Sequence, residues 1–123
     1  MPWELDENLP IYLQLIEELE KRIINGTYQP GCKLPAVREL AADAGVNPNT
    51  MQRALAQMEQ SGLIYTQRTS GRFLTDDRKK IERLRRDAAD GLIRDFLRKM
   101  REIGIEIDEV CRLIQSHEEE KHT

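Results

Sequence analysis

The sequence predicts a mainly α-helical fold with a small β-hairpin, arranged as a winged helix-turn-helix head and a two-helix tail. Three patterns in its 123 residues support this prediction. Two short helical patterns flank a turn at Gly45, two β-type runs surround a polar turn after Gly62, and a long amphipathic pattern follows. We expect the head to cover residues 1–75 and the tail residues 76–123.

The helix-turn-helix is predicted by local start and stop signals. A first helix runs from about Ala36 to Ala44, and Gly45 ends it because glycine adopts the left-handed conformation without a Cβ clash. Asn47 and Pro48 start the second helix, since Asn caps free backbone N–H groups and Pro suits the first helical position. This arrangement is typical of proteins that place the second helix in the DNA major groove.

The second helix divides into an apolar and a polar face. Its apolar residues at helical spacing are Met51, Ala54, Leu55 and Met58. Its outward face carries donors and acceptors that suit base edges, namely Asn49, Thr50, Gln52, Arg53 and Gln57. A solvated helix face is the alternative interpretation. The tight turn before this helix and the β-type runs after it favour DNA contact.

The β-type runs predict a hairpin with strands over residues 63–67 and 72–75. A hairpin directly after the second helix is a wing. Its tip combines charge with a glycine that permits close backbone approach to a phosphate or minor groove: Arg68, Thr69, Ser70, Gly71 and Arg72. A surface hairpin whose arginines stay in water is the alternative, and the tip taken alone favours it.

A further helix is predicted before the helix-turn-helix, from about Ile11 to Ile24. Its apolar residues face a core and recur about every four positions, at Ile11, Leu15, Ile16, Leu19 and Ile23. We expect Trp3 and Leu5 to pack as an extended arm against this helix. An aromatic lid over a pocket is the alternative for these two residues.

Spaced motifs in this head resemble the DNA-binding domain of the GntR family. The resemblance covers roughly residues 10–75 and rests on the runs PIYLQL, IING, PG, LPAVRELA, GVNPNT and GLI, in that order. It implies a transcriptional regulator, with repression as the favoured mode. The DNA-contacting positions that it implies are Arg38 before the turn, Asn47, Asn49, Thr50 and Gln52 on the second helix with Arg53 beside them, and Arg68, Thr69 and Gly71 in the wing.

Two positions depart from the pattern of this family. Many members have Ser where this chain has Ala36, and the change removes a capping oxygen worth about 1 kcal/mol. Many have Arg where this chain has Pro48, so a charged contact is lost and specificity is expected to differ.

The tail is predicted to hold one long amphipathic helix and one short helix. Thr75, Asp76 and Asp77 form a start signal for the long helix, which runs on to Gly104. The short helix spans about residues 107–115, and a polar end follows from Ser116. This tail leaves no room for the ligand-binding domain of the larger branches, and it is similar to the YtrA-type branch, whose members are small dimeric bacterial regulators.

A homodimer is expected because the apolar stripe of the long helix is too wide for one short neighbour to cover. The candidate dimerisation residues are Leu84, Ala88, Leu92, Phe96 and Met100. Gly91 costs about 1 kcal/mol relative to Ala inside a helix, and either a close helix crossing or a packing accident accounts for it. The basic residues from Arg78 to Arg86 are interpreted first as a solvated face, and second as contacts with flanking phosphates.

Composition limits the classes of function. A net charge of −3 and a pI near 5.5 argue against binding nucleic acid by bulk charge alone, so binding to double-stranded DNA should be local and oriented. The sequence has no recognisable catalytic set, phosphate loop or metal-ligand spacing, and we expect neither an enzyme nor a cofactor nor a metal site.

Cys32 and Cys111 are expected to be free thiols in the cytoplasm, and His117 and His122 are expected to be part of a solvated end. No apolar run reaches membrane-spanning length.

Together these observations predict a sequence-specific transcriptional repressor that binds a palindromic operator as a homodimer. The resemblance also implies control of a transporter operon, often an adjacent ABC-type exporter. A winged-helix module that binds a protein and little DNA is the alternative, and the acidic pI supports it. The sequence does not decide whether a small-molecule effector controls DNA binding. Such an effector would bind between head and tail or at the dimer interface.

Overall fold

A computed structural model gives the structure of residues 3–121, with five helices and one two-stranded sheet in that range. The helices are α1 (Ile11–Ile24), α2 (Val37–Ala44), α3 (Pro48–Gln60), α4 (Arg78–Glu102) and α5 (Ile107–Lys121), and the strands are β1 (Ile64–Gln67) and β2 (Gly71–Leu74). The chain forms two compact units, one up to Arg85 and one from Arg86 onward. The prediction of a mainly helical fold with one small hairpin is confirmed.

The core of the first unit lies between its helices and its hairpin. Both α1 and α2 pack against α3, and α3 also contacts β1. The largest fully buried side chains in this unit come from all of these elements: Leu15, Leu19, Leu40, Met51, Leu55, Ile64 and Leu74. Burial of their apolar surface is the main force that holds α3 in place with its other face outward.

The turn between α2 and α3 has the conformation that the sequence predicts. Gly45 has φ 72° and ψ 36°, in the left-handed region, and the next amide, of Val46, donates to the carbonyl of Ala41 at 3.0 Å. The side chain of Asn47 accepts a hydrogen bond of 2.8 Å from the backbone N–H of Asn49, which caps the start of α3. These bonds fix the angle at which α3 leaves α2.

An N-terminal arm packs against α1, as predicted. Trp3 is buried in the core, and the guanidinium of Arg22 lies over its ring at 4.4 Å from the centroid. Two hydrogen bonds attach the arm to Gln14 of α1. The side-chain oxygen of Gln14 accepts from the amide of Asp6 at 2.7 Å, and its side-chain nitrogen donates to the carbonyl of Asp6 at 2.8 Å. The arm is therefore part of the first unit.

The hairpin is antiparallel, with Ile64 paired to Leu74 and Gln67 paired to Gly71. The segment before α2 runs beside its second strand, which the sequence analysis did not predict. The amide of Leu34 donates to the carbonyl of Arg72, and the amide of Leu74 donates to the carbonyl of Cys32, both at 2.9 Å. The wing is thus attached to the start of the helix-turn-helix.

The predicted start of the long tail helix is also confirmed. The carboxylate of Asp77 accepts from the amides of Lys79 at 3.1 Å and Lys80 at 3.3 Å, which caps α4. Ile81 and Leu84 pack against the core of the first unit, which explains why that unit extends into α4. Leu84, named above as a candidate dimerisation residue, therefore contacts the head.

One prediction about the tail was wrong. The short helix was expected to end near Gln115 and to be followed by a polar end, whereas α5 continues to Lys121. No Gly or Pro follows Gly104, and Glu and Lys are good helix formers, so nothing in residues 116–121 terminates the helix. A polar composition does not by itself end a helix.

The second unit leaves most of its apolar side chains exposed. Val110 is the one buried hydrophobic residue among its described residues. The exposed large apolar residues of this unit are Leu92, Ile93, Phe96, Ile103, Ile107, Leu113 and Ile114. Within residues 3–121, none of the helices combines the length and the apolar composition needed to span a bilayer.

Candidate nucleic-acid interface

The outward face of α3 presents a row of polar side chains. Met51, Ala54, Leu55 and Met58 bury the opposite face in the core. Of the five residues predicted to face outward, Thr50 is half-buried and four are exposed: Asn49, Gln52, Arg53 and Gln57. Residues three and four positions apart are neighbours on a helix, so Asn49 lies beside Gln52 and Arg53. This row has the size and chemistry to reach base edges in a major groove.

Asn47 has a structural role besides any contact with a ligand. Its side-chain oxygen accepts from the amide of Asn49 and is therefore committed to the helix cap. Its side-chain NH₂ group keeps two donors, which suit phosphate oxygens.

Arg38 lies on α2, the helix that packs against α3, and its side chain is exposed. It forms no hydrogen bond or ion pair with another residue in the described part of the chain. An exposed guanidinium with all its donors unmet suits a phosphate or a guanine.

Arg53 is held by an aromatic residue of another helix. Its guanidinium carbon lies 3.7 Å from the centroid of the Tyr12 ring on α1. The ring thus restricts where the Arg53 side chain points. Arg53 was predicted from the sequence but Tyr12 was not, because no periodicity links two residues that far apart in the chain.

The tip of the wing is polar and exposed. Arg68, Thr69 and Ser70 form its turn, and Gly71 follows with φ 106°. A side chain at Gly71 would be strained by that backbone conformation, and its Cβ would meet Cε of Lys33 at 3.2 Å. The tip can therefore bring its backbone and the charge of Arg68 close to a DNA strand.

A second arginine of the hairpin, Arg72, faces the protein instead. Its Nε donates to the carboxylate of Glu59 on α3 at 2.7 Å, and the hydroxyl of Thr66 donates to the same carboxylate oxygen. The hydroxyl of Thr66 and then the guanidinium of Arg72 hold the pKa of Glu59 below its usual range, against the opposing effect of burial. This contact joins the end of α3 to both strands of the wing. Glu59 was not predicted from the sequence, and Arg72, which was predicted to lie in the exposed tip, is half-buried instead.

Two open clefts border this surface. One, of about 440 Å³, lies between the N-terminal arm and the helix-turn-helix turn, with Trp3, Glu7, Asn47 and Thr50 among its lining residues. The other, of about 370 Å³, lies between the start of α2 and the wing, with Lys33, Val37 and Gly71 in its lining. The second cleft reaches the exposed wing tip, since Ser70 and Gly71 line it.

Metal-binding geometry is absent from the described residues, where no group of three His, Cys, Asp or Glu side chains is placed to hold an ion. Cys32 is half-buried, Cys111 is exposed, and both are free thiols. His122, which was grouped with His117 above, lies outside the described residues.

Comparison with known proteins identifies the family. The family model described as bacterial regulatory proteins, gntR family, matches residues 11–74, the span that contains the predicted DNA-contacting residues from Arg38 to Gly71. The chain belongs to the GntR family. Members of this family are DNA-binding transcription factors and not enzymes, which decides between the DNA-binding and protein-binding interpretations of the head.

Two relatives from Bacillus subtilis illustrate the range of the similarity. The uncharacterized HTH-type transcriptional regulator YhcF is 32% identical over 116 residues, which cover 94% of this chain and 96% of YhcF. The HTH-type transcriptional repressor YtrA is 40% identical over 70 residues, which cover 57% of this chain and 54% of YtrA. The similarity to YhcF thus includes the tail, whereas the similarity to YtrA covers about half of each chain.

Two solved structures are similar to this GntR-family protein. A GntR family transcriptional regulator from Listeria monocytogenes has a TM-score of 0.86 and 39% identity, and the match covers 91% of this chain and 98% of that chain. The DNA-binding domain of AraR, in complex with operator ORX1, has a TM-score of 0.52 and 33% identity over 58% of this chain and 87% of that chain. The winged helix-turn-helix assignment is therefore confirmed.

Proposed function

We propose that this regulator is a repressor that binds a palindromic operator as a homodimer. The observation that carries the proposal is the outward polar row of α3, in which Asn49, Gln52 and Arg53 are exposed while the core holds the opposite face of the helix. A rigid helix with such a row is suited to the DNA major groove. The complex of the related AraR domain with its operator supports this use of the head.

Each candidate residue has a role that follows from its chemistry. Asn49 and Gln52 are suited to the paired donor and acceptor of adenine, and Arg53 to the two acceptors of guanine. Thr50 and Asn47 are assigned to the sugar-phosphate backbone, which positions the helix without reading sequence. Arg38 is assigned to a phosphate or a guanine. In the wing, Arg68, Thr69 and Gly71 are assigned to a flanking phosphate or the minor groove.

A homodimer is proposed from the exposed apolar face of the second unit. Leu92 is 73% exposed and Phe96 is 43% exposed, one helical turn apart on α4, with Ala88 and Met100 one turn before and after them. Large apolar side chains in a row on a helix are typical of a covered surface. A second copy of the same helix covers this row in the proposed dimer, with two-fold symmetry that matches a palindrome. Leu84 is not assigned to the dimer interface, because it packs against the core of the head.

Dimerisation also explains how an acidic protein binds DNA. With a net charge of −3, one chain gains little from non-specific attraction to phosphates. Two linked heads raise the affinity because the second head binds at a high effective concentration. The proposed regulator therefore needs both half-sites.

Repression of a transporter operon is the proposed role, supported by the repressor YtrA among the relatives and by the resemblance described above. A bound dimer would block RNA polymerase at the operator. A small-molecule effector, where one acts, would do so by binding the free and DNA-bound dimers with different affinity.

The test is a selection of bound duplexes from a randomised DNA library at low and at physiological salt. Wild type should enrich a palindrome, and Arg38→Ala should lose most of the enrichment. Arg112→Ala is the matched control, because Arg112 is an exposed arginine of α5 outside the head and should leave the enrichment unchanged. Failure of wild type to enrich any sequence at either salt would contradict the proposal.

A further inference from the structure

The guanidinium of Arg53 lies over an aromatic ring of another helix. The Tyr12 ring lies 3.7 Å from its guanidinium carbon, and no residue in the described part of the chain forms a hydrogen bond or ion pair with it. A guanidinium donates its five hydrogen bonds in its own plane, so stacking on a ring uses no donor. The ring therefore restricts the position of the group, and no residue in the described part of the chain uses its donors.

Such an arrangement matters because Arg is among the side chains that lose most rotamer freedom when they are fixed. A freely rotating Arg53 would lose that freedom on binding a base, and the loss would weaken the complex. A side chain that is already held over Tyr12 loses less. Tyr12 is itself half-buried on α1, a helix that packs directly against α3, so its ring is a fixed platform.

We propose that Tyr12 is a positioning residue for DNA recognition, which holds the guanidinium of Arg53 in the orientation that reads a base. This inference rests on the proposed contact between α3 and the major groove. It adds a residue of α1, outside the helix-turn-helix, to the determinants of sequence preference. Tyr12 touches no base in this proposal and acts through Arg53.

A double-mutant cycle tests the proposal. The probe is a duplex of about 30 base pairs, enriched by wild type from a randomised library and long enough for two half-sites. Tyr12→Leu removes the ring and should weaken binding by roughly twofold to fivefold per head. Tyr12→Phe is the matched control, since it keeps the ring, and should bind within about twofold of wild type.

The decisive comparison is made in an Arg53→Ala background. There, Tyr12→Leu should have no further effect, because the residue through which Tyr12 acts is gone. Selection with Tyr12→Leu should also flatten the base preference at one position of each half-site and leave the other positions unchanged. An equal loss of affinity in both backgrounds would overturn the proposal, because it would assign Tyr12 a general structural role.

A second measurement uses the wild-type protein, so it does not depend on whether a variant folds. In the free wild-type protein, stacking should shift the Arg53 Hδ proton resonances upfield through the ring current of Tyr12. Unshifted resonances would overturn the proposal even if DNA binding is intact. Conversely, a wild-type protein that shows the shift but enriches no duplex would contradict the proposed function, and with it the role of Tyr12 in recognition.

Discussion

The carboxylate of Glu59, near the end of α3, receives a hydrogen bond of 2.7 Å from Nε of Arg72 on the second strand of the wing. The side chains are 31% and 19% exposed, so both are partly shielded from water. Thr66 on the first strand donates to the same carboxylate oxygen. This single group therefore fixes the wing relative to the helix that we assign to DNA recognition.

Removing the charge of Glu59 should loosen that attachment. Glu59→Gln is expected to lower the free energy of unfolding by about 1–2 kcal/mol, because hydrogen bonds to a charged group are lost in a partly buried site. Urea denaturation measures the change. The matched control is Glu102→Gln, which breaks a pair of similar length, Arg98 to Glu102 at 2.8 Å, in an exposed setting. The control should change stability by less than about 0.5 kcal/mol, and an equal effect of both variants would contradict this account.

The same carboxylate should make stability depend on pH. The folded state lowers the pKa of Glu59, so its stabilising contribution is present above the unfolded value near 4.5 and is lost as pH falls through the folded pKa. Wild type should therefore be more stable than Glu59→Gln at pH 7, and the difference should shrink below about pH 4.5. Denaturation curves at several pH values measure it. A difference that stays constant from pH 7 to pH 3 would mean that the charge of Glu59 contributes nothing.

Alanine substitutions of Asn47 and Asn49 should distinguish the residue that caps α3 from a residue that only contacts DNA. Asn47→Ala removes the oxygen that accepts from the amide of Asn49 and should cost about 1 kcal/mol of stability. Asn49→Ala removes an exposed side chain and should change stability by less than about 0.5 kcal/mol while weakening operator binding. Thermal denaturation and DNA titration of both variants test this. Equal stabilities of the two variants would contradict the capping role of Asn47.

Replacing Gly45 and Gly91 by alanine should change the stability of the protein in opposite directions. Gly45 has φ 72°, so Gly45→Ala should destabilise the head by about 1 kcal/mol or more. Gly91 lies inside α4, and a Cβ there would meet nothing within 4 Å in the single chain, so Gly91→Ala should stabilise the helix by about 0.5–1 kcal/mol. A Gly91→Ala variant that unfolds more readily and dimerises more weakly would instead indicate a close helix crossing between two chains.

The parts of the head that the sequence predicts correctly have local causes. Gly45, Asn47 and Pro48 specify the turn through their own backbone preferences, and Asp77 caps α4 through amides two and three residues away. Helical periodicity likewise identifies the faces of α1 and α3 that lie in the core. Information of this kind is contained in windows of a few residues.

The contacts that the sequence analysis missed join residues on different elements. Tyr12 meets Arg53, and Glu59 meets Arg72, only after the helices and the wing have packed. No spacing rule connects such pairs. The end of α5 was missed for another reason, since a charged segment with helix-forming residues resembles a solvated tail in composition.

Binding of a homodimer to a palindrome is tested by measuring the affinity of wild type for three duplexes of equal length: the selected operator, one half-site, and a scrambled sequence. Two protomers should bind the operator, and binding to the half-site should be weaker by about a hundredfold or more. Phe96→Asp should bind the operator no better than the half-site, whereas Arg94→Asp, a charge change on the same helix, should behave as wild type. Equal wild-type affinity for operator and half-site would show that the protein does not bind the operator as a homodimer.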